Sequence, residues 1–183
     1  MKRSVVFIDG SNFYHNCCDC LGECNIDFDK FAGKLCRGFD LVEIRYYNAT
    51  VNQQLEPERY REQQRFFAKI SQIPKIKLIL GKLKLRHETC THCGKKTMYF
   101  VEKNTDVNVA IDLVDLAHKS TYDTAILVTG DGDFSGAVRL VRSFGKEVNH
   151  ARFRKNFSTE LYQACNKEII LDEEYLKDCQ IGN

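Results

Sequence analysis

Hydrophobic positions along the chain follow two periods. The unbroken apolar run at 124–128 reads as a strand buried on both faces, the habit of a parallel sheet, and 4–8 and 41–47 read as further strands. Residues 75–85 alternate Lys with Ile and Leu and read as a further strand; 146–150 and 168–171 are shorter ones. Between them, apolar residues recur at helical spacing. Phe28, Phe31, Leu35 and Phe39 form one stripe within 26–39, with Asp27 as its N-cap, and Tyr60, Phe66, Phe67 and Ile70 form another within 58–73. Val107 to Ala117 is apolar over most of a helical surface and is expected well inside, with Asp112 half-buried in a hydrogen-bonding role. Phe134 opens a further helix, and 158–165 and 172–178 close the chain with short ones. Strands alternating with helices imply right-handed crossovers and a sheet covered on both faces. The expected fold is a three-layer α/β/α sandwich with a mainly parallel sheet, one domain over 1–183.

Composition narrows the setting. The formal net charge is +2, so no global basic field argues for a polyanion, and any such contact must come from local patches. No apolar run is long enough to span a bilayer, and Met1-Lys2-Arg3 leads directly into the first strand. The expected setting is cytoplasmic, without a membrane partner. Nine cysteines, an odd count, suit thiols and metal better than disulfides.

The candidate chemistry sits where strands end. Val128-Thr129-Gly130-Asp131-Gly132-Asp133-Phe134 puts two carboxylates in a glycine-rich turn after the apolar run 124–128. Asp9-Gly10-Ser11-Asn12 repeats that logic after 4–8, with Ser11 or Asn12 expected to cap the next helix. Open α/β sheets bind ligands at this rim. Asp106, opening a helix after a strand-like segment, can point to the same rim. Taken singly, these residues also suit turns, caps and the helix dipole. Together, four close carboxylates repel unless cations neutralise them, and hard oxygen ligands suit Mg²⁺ or Mn²⁺. Such clusters serve phosphoryl transfer. Residues 151–157 read as a loop interleaving basic and aromatic side chains, and Arg152, Arg154 and Lys155 are phosphate-binding candidates.

A second feature is Cys90-Thr91-His92-Cys93-Gly94, the turn of a zinc knuckle, within a hairpin insertion over 86–100. His87 is a candidate third ligand. The fourth is open among His92, Cys17, Cys18, Cys20 and Cys24, and a metal-free hairpin is the alternative.

Three segments carry a resemblance: Val5 to Phe13, Lys103-Asn104-Thr105-Asp106-Val107 with Ala110-Ile111-Asp112-Leu113, and Val128 to Phe134. They resemble the NYN domain, more narrowly its LabA/DUF88 branch within the PIN-like nuclease superfamily. The resemblance implies a PIN-like sandwich and metal-dependent cleavage of RNA. It makes Asp9, Asp106, Asp131 and Asp133 metal-binding and catalytic, and has Asn12 orient substrate or a metal-bound water. Ser11, Lys103 and Thr129 join the substrate-binding residues. The Cys90–Cys93 insertion is similar to a knuckle variant of some members. Asn104-Thr105 stands where relatives more usually carry Gly-Val. A hydrolase acting on single-stranded or structured RNA, with a homodimer as an open expectation, is therefore the leading reading.

Two alternatives stand beside it. One is an RNA- or nucleotide-binding regulatory module with vestigial or no activity. The other, a phosphohydrolase of the haloacid dehalogenase type, needs an Asp where this chain has Ser11.

Overall fold

The strongest apolar run forms the strand it predicts: Thr124–Val128 is β5, and every residue in it is buried. It lies beside Arg3–Asp9, β1, in parallel register, with Ile8 opposite Val128. A computed structural model describes residues 1–181, without the side chains at 83, 84 and 99–103. The remaining strands are β2 (Asp40–Ala49), β3 (Ile76–Thr89), β4 (Lys96–Lys103), β6 (Glu147–Phe153) and β7 (Lys167–Leu171). Their order is β4-β3-β2-β1-β5-β6-β7. Every neighbouring pair is parallel except β3–β4, which is antiparallel.

Helices cover both faces. Strand alternation sends Val6, Ile8, Ile44 and Ile126 to one side, where they pack on α1 (Gly10–Leu21), α2 (Phe28–Leu35) and α3 (Pro57–Ile70). Val5, Phe7, Ala125 and Leu127 face the other side, against α4 (Thr105–His118), α5 (Ser135–Ser143) and α6 (Thr159–Ala164). A short α7 (Glu173–Leu176) closes the chain. This is the expected α/β/α sandwich.

Local chemistry sets the element ends. Asp27 caps α2, accepting from the Asp29 and Lys30 amides at 3.1 Å. The helix stops at Leu35, earlier than the stripe through Phe39 suggests, before Gly38 takes φ 89°. Helix α4 is less enclosed than its composition suggests: Val109, Leu113 and Ala117 are buried, but Val107 and Ile111 are 54% and 58% exposed. Asp112 has the expected bonding role, accepting from Arg45 Nη1 at 2.6 Å and Tyr47 Oη at 2.8 Å.

The order reverses at β1: β2 and β3 extend the sheet one way, β5, β6 and β7 the other. In open α/β sheets a binding crevice forms outside the carboxyl ends of the strands at such a switch point.

Candidate active site

Asp9 ends β1 at that crevice and is buried. It, rather than Ser11 or Asn12, caps α1, because its Oδ1 reaches the Asn12 amide at 3.1 Å. Its Oδ2 accepts from Thr129 Oγ1 at 3.1 Å. The same hydroxyl accepts from the Asp131 amide at 3.2 Å. The Thr129 carbonyl meets His150 Nε2 at 2.7 Å. A carbonyl only accepts, so Nε2 carries the proton and Nδ1 is a bare buried acceptor, without a partner among the described residues. Burial holds the His150 pKa below its usual value, so the ring is neutral.

Asn12 is a three-way clasp. Its Oδ1 accepts from the Gly130 amide at 3.2 Å, Asn156 Nδ2 at 2.9 Å and Asn16 Nδ2 at 3.4 Å. The ends of β1, β5 and β6 are thereby tied together. Gly130 is required by this approach: a Cβ there would lie 2.0 Å from Asn156 Cγ. Gly10 meets a similar limit, 2.6 Å from the Tyr47 carbonyl oxygen. Asn156 was invisible as a site residue because its partner is 144 positions away.

The other wall is the start of α4. Asn104 adopts φ 74°, a left-handed conformation that Asn tolerates better than most residues. Thr105 is buried, and its Oγ1 has no hydrogen-bond partner among the described residues. Asp106 follows in the first turn. Asp9, Ser11, Asn12, His15, Asn16, Asn104, Thr105 and Asp106 line one open cleft of about 350 Å³.

Asp131 and Asp133 lie outside that lining. Asp131 Oδ1 accepts from the Asp133 amide at 2.9 Å, so the carboxylate caps its own 3-10 turn, Gly132–Phe134, while Asp133 is exposed. Two of the four expected carboxylates thus share the cleft, and two stand on the adjoining turn. Among the described residues no three His, Cys, Asp or Glu side chains form a metal-holding group.

The basic segment is differently built from the expected loop. Strand β6 runs through Phe153, so 151–153 are strand. Arg152 Nε binds Glu168 Oε1 at 2.7 Å, and its guanidinium lies 4.6 Å from the Phe157 ring centroid. Arg154 Nη2 binds Asp172 Oδ2 at 2.9 Å. Lys155 is exposed. Arg154 and Lys155 line a second pocket, of about 400 Å³, that shares Asn16 with the first but also holds Asp19, Asp172, Glu173 and Glu174. An incoming phosphate there meets more negative charge than positive. The Lys103 side chain lies outside the described residues.

The family model for the NYN domain matches residues 3–172. This chain belongs to the NYN domain family. That membership puts it in the PIN-like nuclease superfamily. It is 28% identical over 176 residues to the uncharacterized protein MJ0482 of Methanocaldococcus jannaschii, covering 96% of this chain and 58% of that protein. It is 29% identical over 75 residues to the low amplitude and bright protein LabA of Synechococcus elongatus, covering 41% of this chain and 39% of that one. The chain therefore spans little more than half the length of the archaeal relative. A crystal structure of a protein of unknown function, VPA0982 from Vibrio parahaemolyticus, shares the fold with a TM-score of 0.71 at 20% identity, covering 96% of each chain.

In this NYN domain the cysteine insertion is a true hairpin. Lys82–Thr89 pairs with Lys96–Lys103, beyond the stretch of β3 that joins β2. The tip closes by the Cys90 amide on the Lys95 carbonyl at 2.9 Å and the Gly94 amide on the Cys90 carbonyl at 2.8 Å, with Gly94 at φ 67°. Cys90 and Cys93 are free and exposed. Backbone amides of Cys93 and His92 hold the Cys90 thiol below its usual pKa. His87 pairs with Met98 in the ladder, roughly 10 Å up the strand from position 90 at 3.3 Å per residue. Among the described residues no helix is long and apolar enough to cross a membrane.

Proposed function

We propose that this NYN domain is a Mg²⁺- or Mn²⁺-dependent endoribonuclease of the cytoplasm, acting on single-stranded or structured RNA. The supporting observation is that Asp9 and Asp106, remote in sequence, line one cleft at the switch point of the sheet. The donors fit a hard divalent ion. Mg²⁺ is commonly held by one or two carboxylates, with waters and substrate phosphate completing its shell. The buried Thr105 hydroxyl is a further oxygen at the same cleft, unpartnered among the described residues.

Asp9 and Asp106 would hold the ion, with Asp131 on the adjoining turn. When bound, it supplies a water of lowered pKa and charge neutralisation at the scissile phosphate. The chain's own part is positioning. The Asn12 amide and the Thr129 hydroxyl fix both oxygens of Asp9, so little reorganisation is left for the reaction. Ser11 offers a hydroxyl to a phosphate lying in the cleft. His150 takes no base role, since it is fully buried and does not line the cleft.

End-labelled RNA incubated with Mn²⁺ tests this. Cleavage should be abolished by EDTA and reduced at least a hundredfold in Asp106→Asn and Asp131→Asn. Cleavage indifferent to chelation and to both substitutions would overturn it. The binding-module reading draws on the commitment of the Asp131 carboxylate to its own turn. Equal RNA affinity with and without metal, and no turnover, would favour that reading.

A further inference from the structure

We propose that the tip of the β3–β4 hairpin is half of an intermolecular zinc site, completed by the same two cysteines of a second copy of this chain. Zinc in structural sites takes four nitrogen or sulfur donors in a tetrahedron. Cys90 and Cys93 supply two, three positions apart in a tight turn closed by the Cys90 amide on the Lys95 carbonyl and the Gly94 amide on the Cys90 carbonyl. Among the described residues no third His, Cys, Asp or Glu joins them in a metal-holding group. The ladder also works against His87. His87 lies in the paired ladder opposite Met98, roughly 10 Å up β3 from position 90 at 3.3 Å per residue.

Position and symmetry favour a second copy as the source of the missing donors. The tip lies beyond the part of β3 that pairs with β2, and residues 85–98 are all exposed, so another molecule can approach it. A two-fold axis through the metal makes the half-site self-completing, since each copy offers the other the same pair.

Charge makes the contact conditional on metal. Exposed Arg86, Lys95 and Lys96 outnumber exposed Glu88 around the tip, so two bare tips repel. On assembly, four thiols each lose a proton, four sulfur–zinc bonds form, and the Zn²⁺ centre becomes a dianion. That dianion adds to Glu88 as counter-charge for the lysines and arginines. No oxidant or reductant is involved. The inference is independent of the nuclease proposal, because none of its residues lines the acidic cleft.

The test is native mass spectrometry of the reduced full chain, stripped of metal and then titrated with Zn²⁺. The expected result is a monomer without metal and a dimer carrying one zinc ion per two chains. Co²⁺ in place of zinc should give the sulfur-to-cobalt absorption of a four-thiolate tetrahedral site. Cys90→Ser and Cys93→Ser should each remain monomeric at the same zinc concentration, with an unchanged circular dichroism spectrum. One zinc ion per monomer, a dimer that survives chelation, or no zinc bound at all would overturn the proposal.

Discussion

Thr129 Oγ1 donates to Asp9 Oδ2 across 3.1 Å, joining the last residue of β1 to the first residue after β5. One hydroxyl serves two elements, because it also accepts the Asp131 amide. The carboxylate in the cleft and the turn that carries Asp131 are thereby set by the same atom. Thr129→Val keeps the shape and removes both bonds. It should destabilise the fold by about 1–3 kcal/mol, the cost of leaving buried polar groups unpaired. Urea unfolding reads that loss. RNA cleavage should fall further than the stability change explains, and Thr129→Ser should restore most of both.

Gly130→Ala places a methyl group on Asn156. The predicted cost is about 1–3 kcal/mol, as for overpacking elsewhere. Asn156→Ala in the same chain removes the clash, so the double variant should recover stability without recovering cleavage, because the Asn156 arm of the clasp on Asn12 is lost. A double-mutant cycle by denaturant unfolding and RNA cleavage checks both parts.

His150 gives a pH signature. Its folded pKa lies below the ordinary value of 6.5, because burial disfavours the charged ring. Below pH 6.5 the unfolded chain takes up a proton that the folded one refuses, so stability falls as pH drops through 6.5 toward the folded value. His150→Gln, which keeps a donor for the Thr129 carbonyl, should flatten that slope. Urea midpoints at pH 5 and pH 7, compared between the two proteins, measure it.

Asp112 accepts from Arg45 and Tyr47 in a half-buried network that also includes Glu43. Asp112→Ala leaves a tyrosine hydroxyl and one arm of a guanidinium without that acceptor. A loss of about 1–3 kcal/mol in thermal or urea unfolding is expected, while the cleft and its chemistry should be little affected.

Much of this was legible in the chain because it depends on local pattern. Residues 124–128 are apolar without interruption, and such a run has few homes other than a covered parallel strand. The glycine-rich turn after it and the Asp-Gly after β1 mark strand ends for the same reason. What could not be read is what depends on remote partners. Asn12 meets Gly130 across 118 positions and Asn156 across 144, so its clasping role has no local signature. Arg152 and Arg154 resembled a free basic loop until Glu168 and Asp172, on and just beyond β7, appeared beside them. Asp131 was legible as a turn carboxylate, but not that its own turn engages one of its oxygens.

The carboxylates of the cleft are best tested by locating an ion directly. A crystal of the wild-type chain soaked in Mn²⁺ and measured at the manganese absorption edge should show an anomalous peak between the side chains of Asp9 and Asp106, and the Asp106→Asn crystal should lack it. A wild-type crystal that shows no manganese in that cleft, or shows it only elsewhere, would contradict the account.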